Sequence, residues 1–167
     1  TTAQVQALNT AQATAMFNEQ IAAMTTAQLV VLETRDLAAL SNDAIQALTT
    51  AQVASLTTTQ VEALNTAQVG ALQNSQLLAL TTSQVVALTT RQAAAMNGEQ
   101  GAAFTTAQLV VMETSDLASF SNDMFDQLST AQLASLTTTQ VQALTTGQVS
   151  SIQSSRVDSL TTAQVVA

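Results

Sequence analysis

An eight-residue repeat runs through the whole chain and is the feature that most constrains its fold. The consensus is T-T-A-Q-V-x-A-L, and its register contains no insertion from Thr1 to Ala167. Each eight-residue unit is called an octad, and its residues are numbered as positions 1 to 8. Repeats of fixed length stack on their neighbours, so the chain is predicted to be a repeat array.

A longer period of 80 residues is superimposed on the octads. The segment 25–43, TTAQLVVLETRDLAALSND, returns at 105–123 as TTAQLVVMETSDLASFSND. Position 1 is acidic or Gln at 40-residue intervals, at Glu33, Gln73, Glu113 and Gln153. These periods predict a single array over 1–167, with super-repeats of 1–80 and 81–160. We expect this array to be a window of a longer repeat protein or polymer.

The spacing of the apolar residues favours helices over strands. Position 8 is large and apolar in every complete octad, and position 5 is mostly Val, Leu or Ile. Positions 5 and 8 are neighbours on a helix, whereas strand alternation would require positions of the same parity. One continuous helix is excluded, because its apolar stripe would drift by about 80° in each octad.

The start of each octad carries a helix-capping signal. Thr1 and Gln4 form the spacing of a capping box, in which the two side chains bond each other's backbone amides. Position 1 is Ser, Thr or Asn in 16 of 21 octads, and position 4 is Gln in 16. Leu48 and Val53 also fit a hydrophobic staple. We therefore predict an all-α protein, an α-solenoid of about 21 short capped helices with one helix in each octad.

The distribution of charge predicts which positions are buried. Every charged residue lies at position 1, 3, 4 or 6. Positions 5, 7 and 8 are therefore predicted to be buried and the charged positions to be solvated. Residue size at position 6 alternates between successive octads, small at Ala38 and Ala54 and larger at Gln46 and Glu62. This alternation favours two octads per coil, with three as the alternative.

Composition excludes several classes of function. The net charge is -8, which disfavours binding to nucleic acid and to anionic lipid. No apolar run is long enough to cross a membrane, so no membrane insertion is predicted. The chain has no Lys, His, Cys, Trp, Tyr or Pro. The first residue is not Met, which suggests a processed or excised segment.

Two acid pairs are candidates for a chemical site. Glu33 with Asp36, and Glu113 with Asp116, could form a carboxylate dyad or ligands for Ca²⁺. The favoured interpretation is that these are charges at helix starts on a solvated face. No nucleophile has a His, Cys or Lys beside it to act as base. We therefore predict no enzyme activity, no catalytic residue, no metal site and no cofactor.

Other exceptions to the consensus are predicted to be structural. Most Met and Phe residues replace consensus apolar residues and are expected to fill the core. Phe17 and Met124 break the pattern, and we expect local repacking or a contact point at each. The frequent second Thr, at position 2, is not explained by capping. We expect it to form lateral hydrogen bonds between neighbouring repeats.

The string LTTAQVASL, at 48–56, resembles the octapeptide arrays of very large bacterial secreted or surface proteins, which are often labelled haem-utilisation or adhesion proteins. The resemblance implies an extracellular or cell-surface repeat protein. Without His, Cys or Tyr the haem label has little support, since only Met could ligate iron.

The expected function is a structural stalk or a filament that self-associates end to end. Both ends of the segment lie inside the repeat, so we expect it to continue into more repeats or to dock on another copy. The alternative is an adhesin-type binding module that uses its surface of Thr and Gln to bind glycan, protein or ice.

Overall fold

The computed structural model describes residues 1–166, and within them every element of regular secondary structure is a helix. The residues group into two compact units, Thr1–Ala87 and Leu88–Ala167. Unit 1 contains α1 Thr2–Gln6, α2 Thr10–Thr14, α3 Asn18–Ala22, α4 Thr26–Val30, α5 Thr34–Ala39, α6 Asn42–Gln46, α7 Thr50–Ser55, α8 Thr58–Ala63, α9 Thr66–Ala71, α10 Asn74–Ala79 and α11 Thr82–Val86. Unit 2 contains α12 Thr90–Ala94, α13 Gly98–Ala103, α14 Thr106–Val111, α15 Thr114–Ser119, α16 Asn122–Asp126, α17 Thr130–Ser135, α18 Thr138–Gln142, α19 Thr146–Ser151, α20 Ser154–Val157 and α21 Thr162–Val165. One helix in each octad confirms the predicted fold class.

Each helix begins at position 2, and in most octads a Thr, Ser or Asn at position 1 caps it. In α7, the hydroxyl of Thr49 accepts a hydrogen bond from the backbone N–H of Gln52 at 3.2 Å. The side-chain oxygen of Gln52 accepts one from the N–H of Thr49 at 2.7 Å. The predicted capping box is thus confirmed, and it satisfies two amides that a helix start leaves unpaired.

Each helix ends in a tight corner that needs no glycine. The N–H of Leu56 donates to the carbonyl of Val53 at 3.2 Å, and Leu56 itself has an extended backbone conformation. The next cap, Thr57, is also extended, so two residues turn the chain into the next helix. No described residue has a positive φ. The corners therefore explain how the chain folds with few Gly and no Pro.

Helices that are three apart along the chain pack on each other. In unit 1, α4 packs on α7 and α5 on α8; in unit 2, α12 packs on α15 and α13 on α16. Side chains also reach back four octads, as described below, so each coil contains between three and four octads. The prediction of two octads per coil is wrong. Position-6 residues such as Gln46, Ala54 and Glu62 are exposed, so packing between coils does not constrain their size.

The core of each unit is built from positions 5 and 8. Val53, Leu56, Leu117 and Leu133 are typical members, each at most 6% exposed. Position 7 is mostly half-buried, which only partly agrees with its predicted burial. Each fully buried aliphatic side chain contributes about 1.5–3 kcal/mol, which stabilises helices too short to form alone.

Among residues 1–166, none of the helices has the length and hydropathy that a membrane span requires.

Candidate functional site: the glutamine ladder

The glutamine at position 4 joins successive coils, and Gln60 illustrates its geometry. Its Oε1 accepts a hydrogen bond from the N–H of Thr57 at 2.9 Å, which closes the cap of its own helix. Its Nε2 donates to the carbonyls of Leu29 and Leu32, at 2.8 and 2.9 Å, four octads earlier in the chain. The side chain is 2% exposed. One buried amide therefore satisfies three backbone groups in two octads.

The same arrangement recurs through both units. Two donor bonds to the position-5 and position-8 carbonyls, 31 and 28 residues earlier, are made by Gln52, Gln60, Gln68, Gln76 and Gln84 in unit 1 and by Gln132, Gln140, Gln148 and Gln164 in unit 2. We call these nine residues the glutamine ladder. Their side chains are at most 5% exposed, so the prediction that position 4 is solvated is wrong.

The ladder carried a sequence signal that the capping interpretation did not use. A capping box accepts Glu or Gln at its last position. In this chain the residue is Gln in 16 octads and Glu in none. An amide nitrogen is a donor, whereas a carboxylate only accepts. The absence of Glu therefore indicated that the side chain must also donate, in addition to closing its cap.

Asp36 and Asp116 replace Gln at position 4, and both are buried, at 1% and 2% exposure. In each, Oδ1 accepts a hydrogen bond of 2.7 Å from a Thr hydroxyl three octads earlier, Thr10 or Thr90. In each, Oδ2 is buried without a partner. The prediction that the acid pairs lie on a solvated face is therefore wrong for these two carboxylates, because position 4 lies between coils.

The remaining members of the acid pairs do lie in solvent. Glu33 and Glu113 are exposed at the caps of α5 and α15. Glu33 forms an ion pair of 2.8 Å with Arg35, which also lies 3.6 Å from the Asp36 carboxylate. No cluster of three or more acidic residues that could hold a metal ion occurs in the described part of the chain.

Arg156 replaces the glutamine of octad 20 and makes comparable bonds. Its Nη1 donates to the carbonyls of Asp126 and Leu128, again four octads earlier. Its Nη2 forms an ion pair of 3.3 Å with the Asp126 carboxylate. The guanidinium therefore takes over the donor role, and the acid at position 6 of the facing octad balances its charge.

Octad 16 is the bulkiest departure from the consensus, and octad 13 makes room for it. Met124 and Phe125 on α16 are both fully buried. A Cβ atom added to Gly101 on α13 would lie 2.8 Å from the Cγ and from the backbone oxygen of Met124. A Cβ atom at Gly98 would collide with Asp123 Oδ2. Met124 is thus a case of local repacking between helices three apart.

Four segments of the chain, at 29–66, 61–98, 109–146 and 123–154, match the family model of the ALTTAQ repeat and together cover more than half of its length. The chain belongs to the ALTTAQ repeat family. The match confirms the predicted octapeptide repeat, and it indicates a structural repeat protein. No curated protein matches the chain.

The second threonine of the ALTTAQ repeat is mostly a surface residue. Thr50, Thr58 and Thr66 at position 2 are exposed. Lateral hydrogen bonds from this position are made by Thr10 and Thr90, both to the buried aspartates. The prediction of general lateral bonding is therefore wrong, since a Gln amide leaves no carboxylate for the hydroxyl to reach.

Phe17 is the most exposed aromatic residue of this ALTTAQ array, with 70% of its surface accessible. It lies at the cap of α3, where its backbone N–H donates to Gln20 Oε1 at 2.8 Å. It fills no core, so local repacking does not explain it, and the contact point stays a prediction.

Proposed function

We propose that this ALTTAQ repeat array is a structural, non-enzymatic protein, which forms a stalk or a filament outside a bacterial cell by end-to-end stacking. The observation that carries the proposal is the glutamine ladder. Within each unit, successive coils are joined through the same backbone carbonyls and the same side-chain amides. An interface that repeats in this way suits a protein whose task is length and regularity.

The ladder bond is also a candidate contact between copies of the chain. Gln4, Gln12 and Gln20 in unit 1 are exposed, and among the described residues their Nε2 groups donate to no carbonyl. In unit 2, Val149 and Val157 are 52% and 44% exposed, and their carbonyls receive no side-chain donor from the described part of the chain. These donors and acceptors have the register of the ladder, so either further repeats or a second copy could pair them.

Extracellular location is supported by the resemblance to large bacterial secreted and surface proteins. The adhesion or stalk role agrees with the repeat architecture. The haem role has no support among the residues, because the chain lacks His, Cys and Tyr.

Self-association is tested with a variant that blocks donation but keeps the caps. Changing Gln4, Gln12 and Gln20 to Glu leaves a carboxylate oxygen for each cap and places negative charge where the amide would donate. We expect the parent to form concentration-dependent oligomers in sedimentation velocity and rods in electron micrographs, and we expect the variant to sediment as a monomer.

A control, matched to the double variant Gln4→Glu and Gln12→Glu, adds two negative charges to α1 and α2 outside the ladder. Ala3, Ala11 and Glu19 occupy position 3, which is exposed even in stacked octads such as that of Ala51. Changing Ala3 and Ala11 to Glu should therefore leave the oligomers intact. A parent chain that remains monomeric at high concentration would remove the proposed self-association.

The second candidate is a binding module for glycan, protein or ice. The exposed row of position-2 threonines favours it, because their hydroxyls are regularly spaced and mostly unused within the fold. Glycan binding or ice-growth inhibition by the parent, lost when Thr50, Thr58 and Thr66 are changed to Ala, would favour this candidate over a stalk.

A further inference from the structure

Asp116 lies buried between two coils of unit 2 without the partners that an ionised carboxylate needs. It is 2% exposed on α15. Its Oδ1 accepts one short hydrogen bond, from Thr90 Oγ1 at 2.7 Å, and a longer contact from Ser115 Oγ at 3.5 Å. Its Oδ2 accepts none. Burial of a charge with so few hydrogen bonds is unfavourable, so the neutral acid is the better-suited form.

The surrounding charges do not compensate for this burial. α15 packs on α12 and α18 within unit 2. Octad 12 contributes Arg91, which is exposed, and octad 18 contains no charged residue. Glu113 lies on the same octad as Asp116 and repels its charge. The next octad adds Asp123 and Asp126, which are also acidic. No ion pair is formed by Asp116 within the described residues.

We propose that Asp116 is a proton-binding residue, and that its protonation stabilises the folded chain as the pH falls. The protonated acid has an acceptor oxygen for Thr90 and an Oδ2–H that can donate. It then resembles the amide that the glutamine ladder uses at the same position. The ionised form has two acceptors and no donor.

The direction of the effect follows from the pKa of Asp116. Burial raises the pKa above its usual value of 3.8, the Thr90 hydrogen bond opposes the rise, and repulsion by Glu113 adds to it. Because the folded state holds the proton more tightly than the unfolded state, the stabilisation is full below the unfolded pKa. It is lost as the pH rises through the folded pKa.

Unit 1 contains a natural comparison. Asp36 has the same position and the same Thr bond, but the guanidinium of Arg35 lies 3.6 Å from its Oδ1. Ser115 stands at the corresponding place in unit 2. Changing Ser115 to Arg therefore copies the cation of unit 1 beside Asp116, and it should favour the ionised form.

The test is the melting temperature of the full chain between pH 7.5 and pH 4, followed by circular dichroism. The parent is compared with Asp116→Asn at each pH, so that the contributions of the other acids cancel. We expect the Tm of the parent, relative to this variant, to rise by about 3 °C as the pH falls. The Tm of the Ser115→Arg variant, relative to the same Asp116→Asn reference, should rise by less over this pH range.

A measurement on the parent keeps the test independent of how well the variants fold. The ¹³C shift of the Asp116 carboxyl should titrate at a higher pH than in an unfolded peptide of the same sequence. Parallel Tm curves for the parent and Asp116→Asn would overturn the proposal. A carboxyl that titrates at or below the value of the peptide would do the same.

Discussion

Changing Gln60 to Glu should destabilise the protein by about 3–5 kcal/mol. The substitution keeps the oxygen that caps α8, but it replaces the Nε2 donor with a negatively charged oxygen. That oxygen would face the carbonyls of Leu29 and Leu32 in a site that is 2% exposed. Urea unfolding, followed by circular dichroism at pH 7, measures the loss.

The matched control is Gln12→Glu. Gln12 has the same cap bond, to the N–H of Asn9 at 2.9 Å, but it is exposed and donates to no carbonyl of the described chain. An acid near a helix start is tolerated, so we expect a change within about 0.5 kcal/mol. Equal losses at positions 12 and 60 would show that the ladder bonds contribute nothing beyond the caps.

The second large effect is expected at Gly101, where the two halves of the sequence differ. Ile21 occupies the corresponding position in unit 1, 80 residues earlier. Changing Gly101 to Ile would bring its Cβ within 2.8 Å of the backbone oxygen of Met124. Because a backbone atom cannot move aside easily, we expect a loss of about 3 kcal/mol. Thermal and urea unfolding of the variant measure it.

Restoring the facing residues of unit 1 should recover more than half of that loss. Ala44 and Ile45 stand in unit 1 where unit 2 has Met124 and Phe125. The triple variant Gly101→Ile, Met124→Ala and Phe125→Ile therefore copies the smaller packing. Ala102→Ile is the control, since Ala102 is exposed and should tolerate the same side chain. A triple variant as unstable as Gly101→Ile would show that these helices do not share one packing constraint.

The local structure could be predicted from the sequence because its signals lie within one octad. Thr49 and Gln52 are three residues apart, and their bonds depend on no other part of the chain. The apolar residues at positions 5 and 8 similarly report the buried face of one helix. Local capping and spacing were therefore sufficient to predict a short helix in every octad.

The stacking could not be predicted in the same way because it joins residues about 30 positions apart. Gln60 and Leu29 carry no feature that pairs them rather than another Gln with another Leu, since all octads are alike. The informative residues were the exceptions: Gly101 with Met124, three octads apart, and Arg156 with Asp126, four octads apart. Gly101 is small where Met124 is large, and Arg156 is positive where Asp126 is negative. Such compensation indicates a contact, whereas the consensus residues are all alike and indicate none.

The buried aspartates were misplaced for a related reason. Acids near helix starts are usually solvated, and Asp36 and Asp116 satisfy that rule locally. Their burial results from the coil that covers position 4, which only the register between coils reveals. The Thr10 and Thr90 hydroxyls that reach them belong to octads three earlier.

The most direct test of the coil register is a nuclear Overhauser spectrum of the folded chain, read at the side-chain amide protons of Gln60. A coil of three to four octads predicts cross-peaks from these protons to the backbone and side chains of Leu29 and Leu32, at separations of 31 and 28 residues. Cross-peaks to Ile45 and Leu48 instead, which lie two octads before Gln60, would contradict this architecture.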